Sequence, residues 1–439
     1  MDALTSNKPL SFLKIFSLNS VQMRTFHITW LTFFACFFGW FGLAPLMPAI
    51  RADLGLTKAQ VGDTVIAAVS ATILARLLIG RLCDTWGPRK TYTALLLVCS
   101  IPVFLVGLAK SYETFLLFRF AIGVIGASFV ITQYHTSAMF AANIKGTANA
   151  VAGGWGNLGG GVTNMVMPLI FGGILALGYS KHDAWRLAMI VPGTLLLVCA
   201  FLYYRFTKDT PAGNFEDIDR AVTVKEKPDW KEVVSDWRVW ALAIAYSVCF
   251  GMEITFDNVA SLYFVDNFKL DLKTAGFLAG SFGMMNIFAR ALGGIVADRV
   301  GKKSGLAGKG YLLALLLGLE GLGLLCFSGT SVLGLAIFTM LLFALFLKMA
   351  NGATYAITPF INQKNVGMVA GIVGAGGNIG GMAMGFLFKN PNLGYGTAFF
   401  YIGCAVIVAA LLIAVTKFSR ETKIEISSDA VLEPVLAKV

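Results

Sequence analysis

Twelve runs of apolar residues, separated by short polar stretches, make up most of the chain. Each run has about the 20 residues that a helix needs to cross a hydrocarbon core about 30 Å thick. Glycines recur inside the runs, where the neighbouring helices of a bundle replace the contacts that glycine lacks. The pattern predicts an all-α polytopic membrane protein with these spans: 26–49, 62–82, 91–109, 114–140, 147–178, 185–204, 238–265, 274–297, 309–328, 331–358, 367–388 and 397–417.

Composition strengthens this prediction. Hydrophobic residues account for 57% of the chain and charged residues for 13%, whereas a soluble domain is about a quarter charged. A net charge of +11 would suit nucleic-acid binding, but the basic residues lie in short loops between apolar runs. The expected partner is therefore the lipid bilayer and not nucleic acid. The N-terminus lacks the residue order of a signal peptide, so the first span is expected to be retained.

The distribution of Lys and Arg predicts the orientation and the division of the chain. Of the 35 basic residues, eight fall in loops on one side, four fall within spans and 23 fall on the side of the termini. Basic residues concentrate in cytoplasmic segments, so both termini are expected in the cytoplasm of a multi-pass protein of the plasma or inner membrane. The predicted units are an N-terminal six-helix bundle, a polar cytoplasmic linker, a C-terminal six-helix bundle and a cytoplasmic tail: 1–204, 205–237, 238–420 and 421–439.

An internal repeat relates the two halves. Arg76 aligns with Arg290 at an offset of 214, and Asn157 aligns with Asn378 at an offset of 221. Six spans separate each pair, which indicates a parallel repeat about an axis normal to the membrane. At about 1.5 Å per residue, all four side chains lie roughly 12–16 Å from the cytoplasmic boundary, near the midplane. The asparagines offer amide donors there, whereas the surrounding glycines are better explained by close helix packing.

A charge at the bilayer centre costs at least about 2.5–3.5 kcal/mol and needs a cavity or a partner. Two arginines at matched depth would repel each other unless an anion lay between them. The planar fork of a guanidinium group suits a planar oxyanion. The alternative is that Arg76 and Arg290 each pair with an internal carboxylate, for which Glu253, Asp257 and Glu320 are the candidates.

Other polar residues of the spans have simpler explanations. Lys348 is expected to pair with Glu320 in a structural role, although it could also add to the field of the anion site. Arg119 is expected to extend its charged end towards the outer surface. His135 could shuttle protons, but a hydrogen-bonded histidine within a helix is the favoured interpretation.

The loop segments GRLCDTWGPRK and GGIVADRVGKK resemble the cytoplasmic loop motif of the major facilitator superfamily and its second-half counterpart. Asp84 with Arg89, and Asp298 with Lys302, are expected to form ion pairs that hold one conformation closed. Such pairs contribute up to about 1 kcal/mol, which suits a reversible latch. The resemblance implies the fold of that superfamily, with 12 transmembrane helices in two pseudo-symmetric six-helix bundles.

The segments GGWGNLGGG and GAGGNIGGM resemble the paired signature of the nitrate/nitrite porter family, which is more specific. Three further segments resemble the plant and cyanobacterial high-affinity nitrate transporter branch: MRTFHITW, APLMPAIRADLGLTKAQVG and DNVASLYFVDNF. The resemblance implies that nitrate lies between the two arginines and that aromatic residues sandwich it. The implied substrate-binding residues are Arg76, Arg290, Asn157, Asn378, Phe129, Tyr246, Phe250 and Gly153.

The resemblance further implies a secondary transporter of nitrate, and also of nitrite, that works by alternating access as a monomer. Glu253 is the candidate for coupling to protons, because some family members lack a protonatable residue in the path and exchange nitrate for nitrite. The alternative is that Glu253 is a static partner of Lys348 or of an arginine. Nitrate/nitrite exchange, transport of another small inorganic anion or a carboxylate, and an anion channel remain alternatives. The need for an accessory subunit is open.

An integral-membrane enzyme is not expected. The sequence has no HExxH or Walker pattern and only three histidines. No metal and no cofactor are therefore expected either.

Overall fold

The computed structural model describes residues 8–11, 13, 17–217, 230–362 and 365–418. Within these residues the chain is almost entirely helical, which confirms the all-α prediction. The helices are α1 (Val21–Phe41), α2 (Met47–Leu54), α3 (Lys58–Trp86), α4 (Pro88–Leu105), α5 (Tyr112–Gly123), α6 (Ser128–Met139), α7 (Ala142–Ala176), α8 (Lys181–Ala188), α9 (Ile190–Phe206), α10 (Trp230–Ser235), α11 (Trp237–Phe268), α12 (Leu272–Met284), α13 (Ala289–Ser328), α14 (Leu333–Ile357), α15 (Val366–Lys389) and α16 (Tyr395–Val415). Short 3-10 segments extend or join these helices: Val106–Leu108, Val124–Ala127, Met285–Ile287 and Thr358–Phe360.

Ten helical stretches of the described chain are long and apolar enough to cross a membrane. One of them, Leu272–Ser328, has 57 residues and covers two predicted spans. Gly305, with a φ of 64°, interrupts the helix between those two spans. The ten stretches therefore cover eleven of the twelve predicted spans, and α1 occupies the position of the remaining one.

The first predicted span, 26–49, is longer than the helix found there. α1 ends at Phe41, and a turn precedes α2, which begins at Met47. Proline explains the break, because Pro45 has no backbone N–H to continue a helical ladder. Pro48 lies in the first turn of α2, where the missing N–H costs nothing.

Polar residues in the loops fix where several helices begin. The Thr57 side chain accepts the backbone N–H of Gln60, and the Gln60 side-chain oxygen accepts the backbone N–H of Thr57. This reciprocal capping box satisfies two N–H groups that the first turn of α3 leaves unpaired. Asp271 accepts two backbone N–H groups in the same way at the start of α12.

Packing divides the helices into two groups, which we call the N-bundle (α1–α9) and the C-bundle (α11–α16). α1 packs on α7 and α9, whereas α13 packs on α14 and α16, and α11 packs on α15. The domain boundaries expected from the sequence stay a prediction. Part of the linker, 218–229, and the tail, 421–439, lie outside the described residues.

The most extensive contacts between the bundles are those of α7 with α12 and of α3 with α15, and α7 also contacts α11, α13 and α14. We call the whole surface where the two bundles meet the bundle seam. A Cβ atom on Gly283 of α12 would lie 2.3 Å from the Cα atom of Gly161 on α7. A Cβ atom on Gly62 of α3 would lie 2.4 Å from the Cα atom of Lys389 on α15. Both approaches therefore require glycine.

One face of the molecule carries the linker, and we call it the linker face. There the Arg24 guanidinium donates to the carbonyl of Phe206, and Asp209 accepts the backbone N–H of Arg89. These contacts join the beginning of α1, the beginning of α4 and the end of α9. The opposite face, which carries the loop 42–57, is called the far face.

Ion pairs cross the bundle seam on the far face. The Arg51 guanidinium donates to both carboxylate oxygens of Asp266 at 2.7 and 2.8 Å. Lys389 pairs with Asp63 at 2.7 Å. The hydrogen bonds with Asp266 raise the pKa of Arg51 above its ordinary value. Because both pairs join the N-bundle to the C-bundle, the far face is closed in this conformation.

The ion pair predicted between Asp298 and Lys302 on the linker face is wrong. Asp298 pairs instead with Lys309 at 2.7 Å. The chain reverses at Gly305, so the next helical segment returns beside Asp298 and presents Lys309, whereas the Lys302 side chain is exposed. Both partners belong to the C-bundle, so this pair does not latch the two bundles together.

Arg89 faces α9 instead of the expected partner, Asp84. Its backbone N–H donates to Asp209 at 2.8 Å, and its guanidinium lies 4.6 Å from the ring centroid of Tyr204. Burial raises the pKa of Asp209, although N–H groups of Arg89 and Phe215 hydrogen-bond to its carboxylate. These contacts stay within the N-bundle and the linker.

We expect Gly283→Ala to disfavour closure of the far face, because the added methyl group overlaps the backbone of α7. Overpacking of this kind costs about 1–3 kcal/mol, which would shift the closed-to-open ratio by about fivefold to more than a hundredfold. The measurement is the distance between spin labels at Lys110→Cys and Asn392→Cys, two exposed positions on far-face loops of different bundles. The accessible cysteines Cys326 and Cys404 are first replaced by serine.

The matched control is Gly172→Ala on α7, where an added Cβ atom meets nothing within 4 Å. This variant should keep the distance distribution of the parent protein. Equal distributions in both variants would contradict the steric account of the seam.

Candidate functional site

The two repeated arginines are buried where the bundles meet. Arg76 of α3 is 8% exposed, and Arg290, the second residue of α13, is 3% exposed. Arg76 Nη1 donates to the carbonyl oxygen of Gly374 on α15 at 2.8 Å. Arg290 lies beside Gly154 of α7, whose added Cβ atom would be 3.8 Å from the Cβ atom of Arg290. Each arginine therefore reaches the opposite bundle.

The three predicted aromatic residues lie against these arginines. The Arg76 guanidinium carbon is 5.3 Å from the ring centroid of Phe129, and that of Arg290 is 5.9 Å from the ring centroid of Phe250. Both distances suit a cation–π contact. Arg290 Nη2 also donates to the Tyr246 hydroxyl at 3.0 Å, and the rings of Tyr246 and Phe250 are stacked at 4.9 Å.

Tyr355 of α14, which the sequence analysis missed, joins the two halves of the site. Its ring centroid is 5.9 Å from that of Phe129 and 5.1 Å from that of Tyr246. An added Cβ atom on Gly374 would lie 3.2 Å from the Tyr355 hydroxyl and 3.4 Å from Arg76 Nη1. Tyr355 therefore continues the aromatic wall from the N-bundle to the C-bundle.

Three buried donors of this cluster have no hydrogen-bond partner among the described residues: Arg76 Nε, Arg290 Nη1 and the Tyr355 hydroxyl. Buried polar atoms are nearly always paired, and an unpaired one costs about 1–3 kcal/mol. Unpaired donors on two cations and a phenol call for an acceptor with negative charge. The arrangement is chemically suited to bind a small anion against flat aromatic faces.

Glu253 of α11 lies behind the arginines and is fully buried. Lys348 Nζ is 2.7 Å from Glu253 Oε1. Amide groups of Asn286 and Asn351 donate to the carboxylate at 2.9 and 2.6 Å, and that of Asn157 donates at 3.4 Å. Four donors on one carboxylate stabilise its charged form. Sequence reasoning had not assigned Asn286 and Asn351 to the site.

The charges of this region do not cancel. Arg290 Nη1 lies 3.9 Å from Glu253 Oε2, whereas Arg76 makes no ion pair with a described carboxylate. The prediction that Lys348 pairs with Glu320 is wrong, because Lys348 is bound to Glu253 and both Glu320 oxygens lack a hydrogen-bond partner. The amides of Asn286 and Asn351 hold the Glu253 carboxylate in place, and the Lys348 ammonium group lies against it. Positive charge is left in excess around the unpaired donors.

The predicted asparagines and Gly153 line the same region without facing the unpaired donors directly. The Asn157 amide is directed at Glu253, and the Asn378 amide donates to the carbonyl of Gly374 at 3.2 Å. An added Cβ atom on Gly153 would lie 3.9 Å from the Phe129 ring. The direct role of these three residues in binding stays a prediction.

Arg119 and His135 are both fully buried. Arg119 does not extend to the surface: it is fully buried and donates to Asn258 across the seam at 2.9 Å. Its guanidinium is directed into the bundle seam, where the contact with Asn258 keeps it covered. Both ring nitrogens of His135 are hydrogen-bonded, to the Tyr203 hydroxyl and to the carbonyl of Lys208. This arrangement agrees with a structural histidine.

The sequence of this chain is similar to those of known proteins. Residues 29–382 match the sequence profile of the Major Facilitator Superfamily. High affinity nitrate transporter 2.5 of Arabidopsis thaliana is 38% identical over 94% of this chain and 83% of its own length. Nitrate transporter 2.2 of Chlamydomonas reinhardtii is 38% identical over 86% of this chain and 75% of its own. Nitrate/nitrite transporter NrtP of Picosynechococcus is 28% identical over 82% and 84%.

A solved structure shares the fold. A bacterial homologue of the human lysosomal transporter Spinster, in an inward-facing and unoccupied conformation, superimposes with a TM-score of 0.65. The alignment covers 90% of this chain and 95% of that chain at 15% identity. At this identity the likeness supports the fold and nothing finer.

The Glu253–Lys348 pair allows a test of the charge balance. Glu253→Gln leaves Lys348 buried without a counter-ion, and Lys348→Met leaves Glu253 without its nearest cation. Removing one partner of a buried pair typically costs about 3–5 kcal/mol, whereas replacing both is often neutral. We therefore expect each single variant to melt at a lower temperature than the parent protein and the double variant to recover most of the loss. Additive losses in the double variant would contradict the pairing.

Proposed function

This chain belongs to the Major Facilitator Superfamily and, within it, to the family of its high-affinity nitrate transporter relatives, and we propose that it carries nitrate, and also nitrite, across the membrane by alternating access. The observation that carries the proposal is the set of unpaired donors on Arg76, Arg290 and Tyr355. Nitrate is planar, singly charged and rich in acceptors. It would accept from these donors while its faces lie against aromatic rings.

Alternating access needs a site that each bundle completes and a seam that opens. Arg76 and Phe129 belong to the N-bundle, whereas Arg290, Tyr246 and Tyr355 belong to the C-bundle. On the far face, ion pairs close the seam, and on the linker face the described ion pairs each stay within one bundle or reach the linker. A rocking motion of the bundles about the site would open the far face and close the linker face.

The distribution of basic residues supports placing the linker face and both termini in the cytoplasm, in the plasma or inner membrane. The anion would then enter from the far face and leave on the linker face. We propose that the monomer transports nitrate and that the chain is a carrier and not an enzyme. In this motion, 1–204 and 238–420 would be the two moving units.

Coupling to protons would follow from the position of Glu253. A proton on this carboxyl would free Arg290 and Lys348 from their counter-ion and increase the positive charge that faces nitrate. Proton binding and nitrate binding would therefore favour each other, and linkage makes that preference reciprocal. Exchange of nitrate for nitrite without protons is the second candidate, and the four donors that stabilise charged Glu253 in this conformation favour it.

Arg76→Ala and Arg290→Ala should each abolish or strongly weaken nitrate binding. Hydrogen bonds to charged groups contribute about 1.5–3 kcal/mol, so the affinity should fall about tenfold to a hundredfold or more. The measurement is the rise in melting temperature that nitrate causes in the purified protein.

Arg81→Ala is the matched control, because Arg81 lies on the same helix as Arg76 with an exposed side chain. It should keep the response of the parent protein to nitrate. Acetate and lactate should stabilise none of these proteins, and stabilisation by either one would favour a carboxylate carrier. Binding retained in either site variant would refute the anion clamp.

Glu253→Gln, made in the charge-balanced Lys348→Met background, should remove the dependence of transport on the proton gradient. Liposomes with the parent protein should accumulate labelled nitrate when the outside is acidic, whereas the double variant should only equilibrate it. Lys348→Met alone serves as the background control. A parent protein that ignores the gradient but exchanges nitrate for nitrite would select the exchanger. Accumulation retained in the double variant would make Glu253 structural.

A further inference from the structure

A second carboxyl of α11, that of Asp257, lies at the bundle seam without a partner. Asp257 is 1% exposed, and neither of its carboxyl oxygens has a hydrogen-bond partner among the described residues. An added Cβ atom on Gly160 of α7 would lie 2.9 Å from Asp257 Oδ2. Since α7 belongs to the N-bundle and α11 to the C-bundle, the carboxyl group is pressed against the backbone of the opposite bundle.

The groups around Asp257 do not compensate a negative charge. On α7, the Asn164 amide donates to the backbone carbonyls of Gly160 and Asp257, and its oxygen accepts from Ser261. α7 thus presents a neutral residue that is already hydrogen-bonded. Gly160 also packs against Phe41 of α1, which is apolar.

None of the described charged neighbours pairs with Asp257. The charge of Lys348 on α14 acts on Asp257, but its ammonium group is 2.7 Å from Glu253. Glu253, one turn away on the same helix, adds negative charge and makes a second carboxylate less favourable. Arg119 of α5 donates through one nitrogen to the adjacent side chain of Asn258, and its other two nitrogens make no hydrogen bond to Asp257. Asp257 is left as an isolated carboxyl group.

We infer that Asp257 is a proton-binding site that controls closure of the far face: the seam closes over this residue only when its carboxyl group carries a proton from the far side. An unpaired buried carboxylate costs several kcal/mol, whereas a neutral carboxylic acid costs far less. Parting α7 from α11 would admit water to the carboxyl and remove that cost. This inference rests on the alternating access proposed above and adds the step at which a proton is taken up.

The position of Asp257 also suits a path towards the substrate site. It lies nine residues before Asp266 at the far face and four residues after Glu253 along α11. At about 1.5 Å per residue, the proton would be held roughly 13 Å below the far face and about 6 Å from the level of Glu253. A proton admitted from the far side is thereby delivered beside the nitrate site.

Glu320 supplies a matched control. It is fully buried with both oxygens unpartnered, like Asp257. However, the residue next to it, Gly321, lies against Gly403 and Ile407 of α16, within the C-bundle. Neutralising Glu320 removes an equally buried carboxyl group without touching the seam.

The experiment uses the spin-label pair at Lys110→Cys and Asn392→Cys in the full chain, reconstituted in lipid nanodiscs and measured without nitrate at pH 5.5 and 8.5. In the parent protein the closed-to-open ratio should fall with rising pH, by up to about tenfold per unit, because closure is linked to one proton. Asp257→Asn should stay closed at both pH values. Glu320→Gln should respond as the parent protein does.

Asp257→Ser provides a second neutral side chain, so that one poorly folding variant does not decide the outcome. A parent protein whose distances ignore pH, or neutral variants that keep the pH response, would overturn the inference. Labelled-nitrate exchange in liposomes separates it from the proposed function. Loss of all nitrate transport in the parent protein, with the expected distance changes intact, would refute nitrate as substrate while leaving the proton-controlled seam in place.

Discussion

Arg76, Arg290 and Lys348 are buried together in the middle of the bundle, and Glu253 is ion-paired with only two of them. Uncompensated charge at this depth is costly, and a protein retains it where the charge has a function. Here the cost is concentrated on the unpaired donors of Arg76, Arg290 and Tyr355. A bound anion would accept hydrogen bonds from these donors and remove the cost of leaving them unpaired. The free energy recovered in this way would appear as affinity for the anion. The aromatic side chains around these donors would then favour an anion that is small and flat.

The duplication made the site symmetric in position but not in environment. Arg290 donates a hydrogen bond to the Tyr246 hydroxyl and lies 3.9 Å from Glu253, and both partners belong to its own bundle. Arg76 instead donates to the carbonyl of Gly374 in the opposite bundle. The Arg76 contact exists only while the two bundles are in this arrangement. An anion that draws Arg76 away from that carbonyl would change the energy of the seam itself. Binding and conformational change are therefore coupled at Arg76 more directly than at Arg290.

Much of the fold and part of the site followed from the sequence, and the physical reasons for the misses differ. Apolar runs marked the spans because each helix must satisfy its backbone in lipid, and the repeat placed Arg76 opposite Arg290. Tyr355 was missed although it lies seven residues after Lys348, on the same face of α14. Neither of the repeated motifs in the sequence includes Tyr355. The Asp298–Lys309 pair was missed because a left-handed turn at Gly305 brings together residues that a continuous helix would separate.

Magnitudes decide what holds the far face closed. Arg51–Asp266 and Lys389–Asp63 are partly exposed ion pairs, and such pairs contribute up to about 1 kcal/mol each. An isolated carboxylate in the buried seam would cost several kcal/mol, more than both pairs together could offset. These two ion pairs are therefore strong enough to favour the closed far face only if the buried residues of the seam carry no unpaired charge. On this argument the surface pairs set the register of the closed state, while the charge on the buried residues of α11 decides whether that state is reached.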